Sequence, residues 1–97
     1  MGATVLVTGG SRGLGRAAVE ALAAEPDTAV AFTWSSDEGA AREVEAATGA
    51  RAFRLDLRDR ARPDDLVIEI EEALGPVSGL VNNAGLRRES LLAMTSD

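Results

Sequence analysis

The chain has 97 residues, enough for one small domain, with 45% hydrophobic residues, 3% aromatics and a formal net charge of −6. Its arginines are scattered among more numerous carboxylates, which argues against nucleic acid and against an anionic membrane surface as partners. Cysteine and histidine are absent, so disulfides and a structural zinc are excluded, and lysine and tyrosine are missing too, leaving arginine as the only basic residue.

Residues 3–8 (ATVLVT) form a β-branched apolar run ended by Gly9-Gly10, the pattern of a buried strand entering a turn. From Gly13 to Ala24 the apolar positions Leu14, Ala17, Ala18, Ala21 and Leu22 recur at helical spacing, with Arg16 and Glu20 on the other face. Residues 28–34 (TAVAFTW) predict strand two, and Ser36 is the expected N-cap of a helix through Ala47 whose inner face is Ala40, Val44 and Ala47. A weaker strand follows at 51–55 (RAFRL). Asp59 or Arg62 then precedes a helix with an apolar stripe of Leu66, Val67, Ile70 and Leu74, with Pro63 in its first turn and Gly75-Pro76 as its stop. Strand four is Gly79 to Asn82, followed by Asn83-Ala84-Gly85 and a tail to Asp97.

The alternation of strands and helices predicts an α/β fold, a partial doubly wound parallel sheet of Rossmann type spanning residues 1–97 as one domain. With strand order 3-2-1-4, the third helix falls on the opposite face from the first two, and a ligand crevice opens beyond the carboxyl ends of strands one and four. The apolar segments are strand-length and no charged leader precedes them, so a cytoplasmic protein without a membrane segment is expected. The start MGATVL lacks the Ser or Thr that myristoylation would want, since Leu6 stands there.

The turn TGGSRGLG at 8–15 lies between a strand and a helix. Backbone N–H groups at a helix N-terminus hold a dinucleotide pyrophosphate, helped by the helix dipole, and side chains would obstruct the approach. Gly9 suits the tight turn, Gly13 the close approach of backbone to phosphate, and Gly15 the packing of helix against sheet. The alternative is an ordinary turn, where glycines also collect.

These residues resemble the short-chain dehydrogenases/reductases, whose nucleotide loop reads TGxxxGxG and matches Thr8, Gly9, Gly13 and Gly15. Two further motifs match in order: Asp56-Leu57 is similar to the family's adenine-contacting Asp and the apolar residue after it, and Asn82-Asn83-Ala84-Gly85 is similar to its strand-four NNAG. The segment GLRRESLLAM resembles the bacterial 3-oxoacyl-carrier-protein reductase branch. The resemblance implies cofactor contacts at Gly9, Ser11, Arg12, Gly13, Leu14, Gly15, Ser35, Ser36, Asp56, Leu57, Asn83, Ala84 and Gly85. Each has a blander reading: Asp56 as a surface or capping residue, Arg12 as a solvated loop residue, and the two asparagines as partners of backbone groups at the strand end.

NADP is expected over NAD. An NAD-preferring enzyme of this shape carries an acidic residue at the end of strand two, and Thr33-Trp34-Ser35-Ser36 has none. Arg12 matches a position that pairs with the 2′-phosphate in the resembling reductases, and Ser35 or Ser36 could donate to the same group. Asp37 and Glu38 nearby count against this reading.

In the resembling family a tyrosine protonates the carbonyl oxygen, a lysine lowers that tyrosine's pKa and a serine polarises the carbonyl. This chain has no tyrosine or lysine, and it stops at Thr95-Ser96-Asp97, before the family's catalytic half, so no catalytic residue is assigned and the chain alone is expected to be inactive. A complementary C-terminal polypeptide or self-association is the expected partner, because strand four would leave an open edge. Three functions follow: the cofactor-binding front of an NADP-dependent carbonyl reductase; a non-catalytic dinucleotide-binding or regulatory module; and a remnant that serves only in assembly.

Overall fold

A computed structural model describes residues 2–11, 13–56 and 62–83. They form β1 (Ala3–Thr8), α1 (Gly13–Ala23), β2 (Thr28–Trp34), α2 (Glu38–Thr48), β3 (Arg51–Arg54), α3 (Arg62–Leu74) and β4 (Gly79–Asn82). The four strands make one parallel sheet in the order β3-β2-β1-β4. This is the expected doubly wound arrangement, and Val7 at its centre faces Phe32 on one side and Val81 on the other.

Successive strand residues point to opposite faces, and the core divides accordingly. Leu6 and Ala31 pack with Leu55 and with Leu66 and Ile70 of α3. Val7, Val30 and Phe32 pack with Val19 of α1 and with Ala41 and Val44 of α2. Full burial of each large side chain, such as Phe32 or Ile70, contributes roughly 1.5–3 kcal/mol. The α3 end is tied to β1 by the Thr4 hydroxyl, which donates to Leu74 O at 3.0 Å, and by Ser78 N–H, which donates to Thr4 O at 2.8 Å.

Three local expectations are corrected. The inward face of α1 is Gly15 and Val19, flanked by the partly buried Ala18 and Leu22, whereas Leu14 is 83% exposed and Ala17 and Ala21 are exposed. The cause is the close seating of Gly15 on the preceding loop, which rotates the alanine-rich arc outward. In α2 the buried pair is Ala41 and Val44, and Ala47 is exposed; with alanines at 40, 41, 46 and 47 the sequence pattern did not distinguish the two arcs. The N-cap of α2 is Asp37 and not Ser36, because the Asp37 carboxylate accepts the Ala40 N–H at 2.9 Å, a charge-assisted cap at a dipole end that favours negative charge.

The outer strand is secured from α2. The Glu45 carboxylate accepts the Ala52 N–H of β3 at 2.8 Å and is paired with Arg42. Burial alone would raise the Glu45 pKa, but the Ala52 N–H together with Arg42 and Arg51 outweighs it and holds the carboxyl below its ordinary value. Among the described residues no helix is long and apolar enough to cross a membrane.

Candidate functional site

β1 ends in Thr8, whose buried hydroxyl accepts the Asn83 N–H at 2.9 Å and faces Val81 O at 3.4 Å and Asn82 Oδ1 at 3.3 Å as acceptors for its own proton. The carboxyl ends of β1 and β4 are thus locked together. Gly9 then turns the chain with a φ of 71°, and its N–H donates to the Thr33 hydroxyl of β2 at 2.9 Å. Gly10 N–H donates to Thr33 O at 3.0 Å, so β2 grips the loop from its other side.

The loop leads straight into α1. Gly13 has a φ of 59°, and a Cβ added there would meet nothing within 4 Å, so open space lies before the helix N-terminus. A Cβ on Gly15 would lie 2.0 Å from Gly9 O and 2.7 Å from Asn83 Nδ2. The Asn83 amide in turn donates to Gly9 O at 3.1 Å. Loop, helix start and strand four therefore converge on one carbonyl.

Charge is arranged to match. The first turn of α1 contains no acidic residue, whereas α2 begins with Glu38 and α3 with Asp64 and Asp65. The N-terminus of α1 keeps its partial positive charge for an external anion. The cradle thus fits a pyrophosphate: glycine backbone at the approach, a helix N-terminus behind it, and no carboxylate in the first turn.

Of the sequence-derived contacts, Gly9, Ser11, Gly13 and Gly15 form this turn and helix start, with Asn83 against it. Leu14 lies in the first turn with its side chain outward. Ser35 and Ser36 are exposed just beyond β2, and Asp56 is half-buried just beyond β3, so both segments lie at the same carboxyl edge of the sheet. Arg12, Leu57, Ala84 and Gly85 lie outside the described residues.

Four features were not read from sequence. Gly10 is required by space, since a Cβ there would lie 2.6 Å from Phe32 Cβ and 2.8 Å from Val19 Cγ2. Thr33 is the β2 anchor of the loop, and the only signal for it was a hydroxyl at the end of an apolar strand. Asp37 and Glu38 are both engaged within α2, as its cap and as a partner of Arg42 at 3.3 Å. Finally, Trp34 and Arg54 pair across the ends of β2 and β3, with the Arg54 Cζ 5.8 Å from the indole centroid. The Trp34 Nε1–H is buried without a hydrogen-bond partner among the described residues, at a cost of roughly 1–3 kcal/mol that burial of the ring helps to offset.

Comparison with known proteins agrees with this geometry. Residues 3–97 match the family model for short chain dehydrogenases. The chain is 37% identical to acetoacetyl-CoA reductase of Paracoccus denitrificans, over 94% of this chain and 37% of that one. It is 34% identical to the 3-oxoacyl-acyl-carrier-protein reductase FabG of Escherichia coli K12, over 99% of this chain and 39% of the relative. The crystal structure of BdcA in complex with NADPH superimposes with a TM-score of 0.69 at 39% identity, covering 88% of this chain and 33% of that one. The chain therefore spans less than two fifths of the length of these proteins. By its family model, its sheet order and its glycine cradle, the chain belongs to the short-chain dehydrogenase family.

Proposed function

We propose that residues 1–97 are the cofactor-binding front of a cytoplasmic, NADP-dependent carbonyl reductase acting on 3-oxoacyl thioesters, with the catalytic serine, tyrosine and lysine supplied by polypeptide outside this sequence. The observation that carries the reading is the cradle itself: positive-φ Gly9 and Gly13, with Gly15 seated on the Gly9 carbonyl that Asn83 also holds. A bound nicotinamide dinucleotide supplies hydride transfer to or from a carbonyl carbon. The residues of this chain bind and orient it. The loop and α1 would hold the pyrophosphate, Ser35, Ser36 and Arg12 the substituted adenine ribose, and Asp56 and Leu57 the adenine, with further cofactor contacts from Asn83, Ala84 and Gly85.

The choice of NADP is supported by the absence of a carboxylate at 33–36, and Asp37 and Glu38, which count against it, are both engaged within α2. Two similar proteins are named as reductases of acetoacetyl-CoA and of 3-oxoacyl-carrier protein, and BdcA was solved with NADPH. The second reading, a non-catalytic dinucleotide-binding or regulatory module, draws on the absence of tyrosine, lysine and histidine from these residues. Calorimetric titration with NADP and NAD, followed by an assay of NADPH oxidation with acetoacetyl-CoA, separates them. Tighter binding of NADP, and turnover only when a polypeptide carrying the Tyr-x-x-x-Lys pair is added, is the expected result. Binding without turnover in the presence of that polypeptide favours the regulatory module, and failure to bind either dinucleotide overturns both readings.

A further inference from the structure

Arg54 stands at the carboxyl end of β3, in register with Trp34 at the carboxyl end of β2. Residues in register project from the same face, and the guanidinium carbon lies 5.8 Å from the indole centroid. Its Nε donates to Ser35 O at 3.4 Å. These contacts are with the end of β2 and the residue after it, so an exposed cation is anchored beside Ser35 and Ser36. Stacking on a ring restrains the planar fork of an arginine, and a restrained fork loses less freedom when it meets phosphate oxygens. Of the two acids that follow Ser36, Asp37 caps α2 and Glu38 pairs with Arg42.

We propose that Arg54 is a specificity-determining residue that donates to the 2′-phosphate of NADP from the β3 side of the adenine ribose. The inference rests on the NADP reading above and adds a residue from a strand that the sequence motifs did not mark. The sole tryptophan of the chain, Trp34, lies under the proposed contact and reports on it.

The test titrates the chain and two variants with NADP and with NAD, following Trp34 emission and heat release. Arg54→Met keeps an unbranched stem on the ring and removes the donors. It is expected to weaken NADP binding on the order of ten-fold or more while leaving NAD binding unchanged. Arg54→Lys, which keeps the charge without the fork, is expected to fall between the two. Trp34 emission should respond more to NADP than to NAD in the parent chain, and the difference should vanish in Arg54→Met. Equal weakening of both dinucleotides by Arg54→Met would assign Arg54 a purely structural role and overturn the inference. So would an unchanged preference for NADP in both variants, while the NADP reading stood. A parent chain that binds NAD as tightly as NADP overturns the NADP reading and this inference together. Should Arg54→Met fail to melt cooperatively, the NADP-to-NAD ratio of Arg54→Lys decides alone.

Discussion

At the level of single residues the site depends on atoms that are missing. Gly15 lets α1 sit on the loop, and the nearest obstacle to a Cβ there, 2.0 Å away, is the backbone oxygen of Gly9, which cannot rotate aside. Gly15→Ala is therefore expected to cost about 1–3 kcal/mol of stability and to abolish dinucleotide binding, measured by a thermal melt and a titration. Gly13→Ala meets open space and is penalised through its φ of +59°, by an amount on the order of 1–2 kcal/mol. It should fold and bind weakly. The sequence marks Gly13 and Gly15 by spacing, but it did not show that Gly10 is as constrained, because no motif position records that Phe32 and Val19 close over it. Glu45 supplies a test by pH. Its folded-state pKa lies below the ordinary 4.5, so its contribution is present above that value and is lost as the pH falls through the lowered one. Glu45→Gln should thus lower stability near neutrality and converge with the parent chain in acid, as read by denaturant melts at several pH values.

Elements were more legible than their faces. β1, β2 and β4 run over the expected residues, because β-branched and apolar runs ended by glycine, serine or asparagine leave few alternatives for a buried parallel strand. β3 ends at Arg54, one residue early, yet Leu55 N–H still donates to Trp34 O at 2.8 Å, so pairing continues past the strand's formal end. The helix stripe of α3 was readable because Leu66 and Ile70 stand among acids. The inward arcs of α1 and α2 were not, since alanine carries too little side chain to distinguish a buried position from an exposed one. The start of α2 was misread by a single position, and the difference is measurable. Asp37→Ala removes the acceptor of the Ala40 N–H and is expected to cost roughly 1 kcal/mol, while the same change at Ser36 leaves the cap intact. Chemical denaturation of the two variants side by side checks the assignment.

For the molecule as a whole, the sheet order places both faces under cover in unequal measure: α1 and α2 lie on one side and, among the described residues, α3 alone on the other. Leu80 and Val81 of β4 are only partly buried. Apolar strands in this condition attract further polypeptide. The isolated chain is expected to self-associate, with β4 amides gaining protection from hydrogen exchange as its concentration rises. A concentration-independent monomer by light scattering, with β4 exchanging at the same rate throughout, would contradict this.

The bond between Glu45 and Ala52 gives the sheet a direction. Alternate amides of a strand face opposite neighbours. With Leu55 N–H turned inward to Trp34 O, the donors of β3 that face outward are those of Ala52 and Arg54. One of these two is occupied by a carboxylate from the chain's own helix, and that carboxylate brings Arg42 with it. An incoming strand at β3 would have to displace an ion pair to gain its first hydrogen bond. At β4 it would meet no such obstacle among the described residues, so new strands, whether from a continuing chain or a second copy, are admitted at one edge and refused at the other.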